Sequence, residues 1–135
     1  MEKLSGGCVC GQVQYEIATA PVQVVACHCN LCRRMNGAPF SVYVVVRQKD
    51  FRFTSGETNS YQATECTTKH FCRACGTPIY NSNPTTYQGL AMIYVGTTEN
   101  PQKSVPAMNI FCENKLEWVV PNVGSKVFSK SPGEA

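Results

Sequence analysis

Seven of the nine cysteines in this 135-residue chain fall into three tight groups, Cys8-x-Cys10, Cys27-x-Cys29-x-x-Cys32 and Cys72-x-x-Cys75. Thiolates two or three residues apart can grip one tetrahedral ion from a single bend of backbone, and groups from distant parts of a chain can complete its shell together. Any fold of this chain must therefore bring sulfur atoms from separate segments into contact. Seven thiolates divide into a closed set of four and an open set of three, and three protein ligands leave one tetrahedral position for water or substrate.

The spacing suggests which groups pair. Cys8 and Cys10 open an alternating segment, and Cys72 and Cys75 are followed by Gly76, whose conformational freedom lets backbone amides turn toward sulfur. Together they predict a structural zinc with four cysteine ligands. Cys10 and Cys72 lie 62 residues apart, so the ion clips a long loop and its binding energy becomes folding energy. The metal-free form is expected to be partly or wholly unfolded.

Cys27, Cys29 and Cys32 have no partner group and are the expected ligands of a second, catalytic zinc. Three thiolates push electron density onto the ion, which suits activation of an incoming thiol better than strong Lewis-acid hydrolysis. A fourth ligand from His28, Cys66, His70 or Cys112 would instead close this site as a second structural one. His28 is expected to point away or to hydrogen-bond a sulfur. Cys66 and Cys112 read as small buried hydrophobes, and Trp118 as part of the core.

Length and patterning predict one domain over residues 1–128, followed by a flexible tail over 129–135, Ser-Lys-Ser-Pro-Gly-Glu-Ala. No apolar run is long enough to cross a bilayer, and the first residues resemble no secretory signal, so a soluble, cytoplasmic protein with no membrane partner is expected. In that reducing compartment clustered cysteines are metal ligands rather than disulfides. The formal charge of +3 counts every thiol as neutral; seven thiolates and two divalent ions bring it to zero. That removes the bulk-charge argument for nucleic acid. Arg33, Arg34, Lys69 and Arg73 still flank the cysteine groups and could form a local basic surface or attract an anionic small molecule.

Strand alternation is clearest over 12–17, where Val13, Tyr15 and Ile17 oppose Gln12, Gln14 and Glu16. Further strands are expected over 22–26, 40–46, 51–53, 60–63, 68–71, 78–80, 90–95, 109–111 and 117–120, with turn residues between them. Helical spacing never persists for three turns; the best short helix is 31–35, directly after a cysteine group. The domain is predicted to be mainly β.

The segments Gly7-Cys8-Val9-Cys10-Gly11-Gln12-Val13-Gln14-Tyr15, Cys27-His28-Cys29-Asn30-Leu31-Cys32-Arg33 and Phe71-Cys72-Arg73-Ala74-Cys75-Gly76-Thr77 resemble, in order and spacing, the glutathione-dependent formaldehyde-activating enzyme (GFA/CENP-V) family, over about residues 7–128. The resemblance implies a β-tent fold of short antiparallel sheets around a structural zinc. It implies Cys8, Cys10, Cys72 and Cys75 as structural ligands and Cys27, Cys29 and Cys32 as holders of a catalytic zinc. It also implies a carbon–sulfur lyase that condenses a small aldehyde with glutathione or a related thiol, reversibly. The chain departs from the family pattern in two places. Gly96-Thr97-Thr98-Glu99-Asn100-Pro101 stands where Gly-Thr-Leu-Asp-Asp-Pro is common, and Asn109 stands where the family has a histidine.

Two other functions compete with the enzyme. A zinc-stapled, non-catalytic module for protein or nucleic acid would use Arg33, Arg34, Lys69 and Arg73 as one surface. A redox role would use the CxxC pairs once metal is lost. The thiol and aldehyde, the residues of the cleft and the oligomeric state are left open by the sequence.

Overall fold

The computed structural model describes residues 4–132, and among them eleven strands and one short α-helix. In chain order these are β1 (Leu4–Gly7), β2 (Gln14–Ile17), β3 (Gln23–Cys27), α1 (Asn30–Asn36), β4 (Ser41–Arg47), β5 (Phe51–Ser55), β6 (Thr58–Gln62), β7 (Thr68–Cys72), β8 (Pro78–Ser82), β9 (Leu90–Tyr94), β10 (Met108–Ile110) and β11 (Lys126–Val127). A three-stranded antiparallel sheet has the order β1-β2-β5, and an eight-stranded sheet the order β11-β10-β3-β4-β9-β8-β7-β6. The larger sheet is antiparallel except at β10, which runs parallel to both β3 and β11. The chain is mainly β, as its residue pattern predicts.

Alternation in the strands divides the core in two. On β4, Val44 and Val46 face one way and Tyr43 and Val45 the other; on β9, Ala91 and Ile93 oppose Met92 and Tyr94. The first face packs against the small sheet, where Val13, Tyr15 and Ile17 are fully enclosed and the partly buried Phe51 and Phe53 pack against them. The opposite face holds Val25, Tyr43, Tyr94 and Ile110 with Met92, Met108 and Phe111. A bulge between β7 and β8, opposite His70 and Phe71, lets consecutive residues Ile79 and Tyr80 both serve the first core.

α1 follows from its ends. Cys29, in an extended conformation, caps the first turn by accepting from the Cys32 amide, and Gly37 ends the helix in the left-handed region at φ +62° with its N–H on the Arg33 carbonyl. Lys69 of β7 donates to the Met35 carbonyl at 2.9 Å and fastens the last turn to the sheet.

Segment 117–120 corrects an expectation: it is no strand. The Lys115 ammonium donates to the carbonyls of Leu116 and Val119, and the Val119 amide returns to Leu116, so this stretch spends its backbone groups on a turn. Val119 is buried, but Trp118 is 70% exposed and not a core residue. Two strands the pattern did not announce, β1 and β11, are a glycine-containing edge and a two-residue pair. Of the residues expected to form a free tail, Ser129 and Lys130 accept backbone hydrogen bonds from Glu113 and Phe111, and 133–135 lie outside the described residues.

Candidate metal centre

The fold gathers the seven cysteines into two clusters, one on each side of the large sheet. In the first, the Sγ atoms of Cys8, Cys10, Cys72 and Cys75 all lie within 4.8 Å of one another. Cys8 and Cys10 lie between β1 and β2 of the small sheet, and Cys72 ends β7 of the large one, so the cluster joins the two sheets. Both bends close on a left-handed glycine: Gly11 (φ +83°) donates to the Cys8 carbonyl, and Gly76 (φ +79°) donates to the Cys72 carbonyl. The turns aim amides at sulfur. Val13 N–H reaches Cys8 Sγ at 3.2 Å, and the amides of Ala74 and Cys75 each reach Cys72 Sγ at 3.4 Å.

In the second cluster, Cys27 ends β3, Cys29 caps α1, and Cys32 lies within α1; their sulfur atoms likewise lie within 4.8 Å of one another. Cys27 and Cys32 are buried, 5% and 7% exposed, whereas Cys29 is half-buried. With no cation present the three thiols cannot ionise together. Hydrogen bonds from Cys27 and Cys32 pull Cys29 down to about 3, while contacts with Cys29 and Cys32, and burial, push Cys27 far up. A divalent cation relieves that conflict by neutralising all three.

The spacing fits a metal. All nine cysteines are free. The closest sulfur pairs, Cys8–Cys10 at 3.5 Å, Cys10–Cys72 at 3.8 Å and Cys27–Cys32 at 3.4 Å, are far beyond a disulfide bond and near the edge of about 3.8 Å expected for a tetrahedron with Zn–S bonds of about 2.3 Å. The clusters could therefore hold metal, and their donor set is compatible with zinc.

None of the possible fourth ligands, His28, Cys66, His70 or Cys112, joins the three-cysteine cluster among the described residues. His28 points away. Buried to 1% exposure, it places Nε2 3.1 Å from Asn109 Oδ1 and stacks on Phe40. Asn109 Nδ2 is already donating to Ser125 Oγ and the Lys126 carbonyl, so Nε2 carries the hydrogen toward Oδ1. Asn109 alternates with Met108 and Ile110 and therefore lies on the sheet face opposite the three thiols. His70 stacks on Tyr80, 4.1 Å between centroids, and contacts Ser82 Oγ. Cys66 and Cys112 are half-buried rather than enclosed: Cys66 sits in the β6–β7 turn, and the Cys112 amide binds the Phe128 carbonyl.

Beneath the three thiols lies a polar network that sequence reasoning missed. Tyr43 Oη donates to Cys32 Sγ at 3.1 Å and accepts from Asn81 Nδ2 at 3.1 Å. Tyr94 Oη lies 2.8 Å from Asn36 Oδ1 and 2.9 Å from Asn81 Oδ1, so its one proton serves either carbonyl, and Asn36 Nδ2 donates to Ser41 Oγ at 2.7 Å. Burial, with Cys32 close by, holds the Tyr43 phenol well above its ordinary range, and burial raises Tyr94 to about 12. Tyr43 therefore remains a proton donor. The only signal in the sequence was polar residues at inward positions of apolar strands, which burial alone makes meaningful.

The four basic residues flanking the clusters have different fates. Arg73 pairs with Glu57 at 2.6 Å, Lys69 is committed to α1, and Arg33 and Arg34 line a groove beside α1.

No helix is long and apolar enough to cross a membrane. A family model described as glutathione-dependent formaldehyde-activating enzyme matches residues 3–114. Among solved structures, a crystal structure of a Rhodobacter sphaeroides protein is similar over 92% of this chain and 98% of its own, with a TM-score of 0.57 and 22% sequence identity, a likeness of fold.

Proposed function

Because the chain belongs to the glutathione-dependent formaldehyde-activating enzyme family, we propose that it is a zinc-dependent carbon–sulfur lyase, condensing a small aldehyde with glutathione or a related thiol in a reversible reaction. The observation that carries this reading is the inequality of the two clusters: four sulfurs gather in one and three in the other, and among the described residues no further His, Cys, Asp or Glu joins the three.

Cys8, Cys10, Cys72 and Cys75 would hold a structural ion, and Cys27, Cys29 and Cys32 a catalytic one. A zinc ion there supplies Lewis-acid chemistry, lowering the pKa of a thiol that reaches its open position. The protein's own groups set the geometry. Cys27 and Cys32 fix the closed side, the Tyr43 hydrogen bond holds Cys32 in place, and half-buried Cys29 turns the open side toward solvent. The addition balances without redox change. The thiol S–H loses its proton, the sulfur electron pair forms the C–S bond to the aldehyde carbon, and the carbonyl π pair passes to oxygen, which takes up a proton.

The test is X-ray absorption on protein loaded with two zinc ions, before and after glutathione is added, alongside product analysis with formaldehyde. The expected result is one four-sulfur ion that does not respond and one three-sulfur ion whose light-atom ligand is replaced by sulfur, with S-hydroxymethylglutathione formed. Two saturated ions indifferent to any thiol would sink the proposal and leave a stapled binding module.

A further inference from the structure

We propose that the groove beside α1, lined by Arg33, Arg34, Gly37, Ala38, Pro39 and Leu116, seats a carboxylate carried by the thiol substrate, with the guanidinium groups of Arg33 and Arg34 as its partners. The inference rests on the reading of Cys27, Cys29 and Cys32 as a thiol-activating site and adds a specificity determinant to it.

Three observations support it. The first is placement. The Arg33 amide donates to the Cys29 carbonyl at 3.1 Å, so Arg33 stands one helical turn beyond Cys29, the least buried of the three thiols. Residues four apart share a helix face, with Cβ atoms about 5–6 Å from each other. A ligand entering beside Cys29 therefore passes Arg33.

The second is that these cations are uncommitted. Arg52 pairs with Glu16, Arg73 with Glu57, and Lys69 with the Met35 carbonyl. Among the described residues neither Arg33 nor Arg34 has a side-chain hydrogen bond or an ion pair. In the last turn of the helix the Met35 carbonyl is met by Lys69 and the Arg33 carbonyl by the amides of Gly37 and Ala38, not by either arginine side chain.

The third is the groove floor. Gly37 has no side chain and Ala38 only a methyl, and a Cβ added at Gly37 would meet nothing within 4 Å. A guanidinium fork matches the planar, bidentate geometry of a carboxylate, and both Arg33 and Arg34 line this groove.

Matched thiols test this. Zinc-loaded wild type is titrated with 3-mercaptopropionate and with its amide, 3-mercaptopropionamide, with calorimetry and the metal-edge spectrum as readouts. The acid is expected to bind about 10-fold more tightly than the amide, the scale of a charge-assisted hydrogen-bond pair. Arg33→Gln/Arg34→Gln should erase that preference, and Arg33→Lys should keep part of it. Arg52→Gln, which removes one charge elsewhere on the surface, should retain it. A preference that survives the double glutamine variant, or disappears equally in Arg52→Gln, overturns the groove and leaves the metal reading standing. Absence of any metal-edge response to either thiol overturns both.

Discussion

Tyr43 donates to Cys32 while accepting from Asn81, so Tyr43→Phe removes the hydrogen bond that orients one ligand and strips an acceptor from a buried amide. An unsatisfied buried polar group costs about 1–3 kcal/mol, and loss of a partner that orients a metal ligand lowers affinity by roughly 10- to 100-fold. Tyr43→Phe is therefore expected to lower unfolding free energy by that amount and to release one of two zinc ions faster to a chelator. Urea titration and timed chelator competition measure the two effects. Cys29→Ser separates ligand from cap. Serine is a good N-cap and can accept from the Cys32 amide as cysteine does, so α1 should persist while the three-sulfur site loses its ion. The zinc content should fall from two per chain to one with an unchanged far-ultraviolet circular dichroism spectrum. His28 falls between two proposed ligands yet serves the opposite face through Asn109. Asn109 therefore stands away from the three-thiol cluster, as a hydrogen-bond partner for His28.

Where strands meet, glycine is required for want of room at one position in particular. A Cβ on Gly6 of β1 would run into the Thr97 carbonyl and the Tyr15 ring and hydroxyl. Tyr15 is enclosed, and its hydroxyl is held 2.7 Å from Thr97 Oγ1, so neither neighbour can yield. Gly6→Ala is expected to cost about 1–3 kcal/mol through overpacking, read as a lower denaturant midpoint with an unchanged slope. β1 was missed in the residue pattern because Leu4-Ser5-Gly6-Gly7 has little intrinsic strand preference; its pairing with β2 and its packing against Tyr15 supply what propensity lacks. Segment 117–120 fails in the opposite sense, since Glu-Trp-Val-Val has the composition of a strand but Lys115 claims its carbonyls. Propensity records what a segment tolerates, whereas pairing decides what it becomes.

At the scale of the whole molecule, the four-sulfur cluster is the bolt between the sheets. Cys8 and Cys10 come from the small sheet, and Cys72 and Cys75 from the end of the large one. Closing the 62 residues between Cys10 and Cys72 corresponds to about 4 kcal/mol by loop-closure entropy. Stripping metal, or replacing Cys72 by serine, should therefore lower Tm by about 10 °C or more in a calorimetric scan, and re-addition of zinc should restore only the unsubstituted protein. A chelator that leaves Tm unmoved would count against the structural ion. The two cysteine clusters were legible in the chain because Cys-x-Cys and Cys-x-x-Cys spacing limits which sulfurs could share an ion before any fold is known. The mainly β architecture was legible because two-residue periodicity in segments such as 12–17 admits one buried face. The placement of the two sets on opposite faces of one sheet was not legible, nor was the partial exposure of Cys29 beside two buried thiols or the joining of Tyr43, Asn81, Tyr94 and Asn36 beneath them. The network depends on register between strands far apart in the chain, β4 against β9 and β9 against β8, and a shift of one residue would turn Tyr43, Asn81 or Tyr94 to the other side.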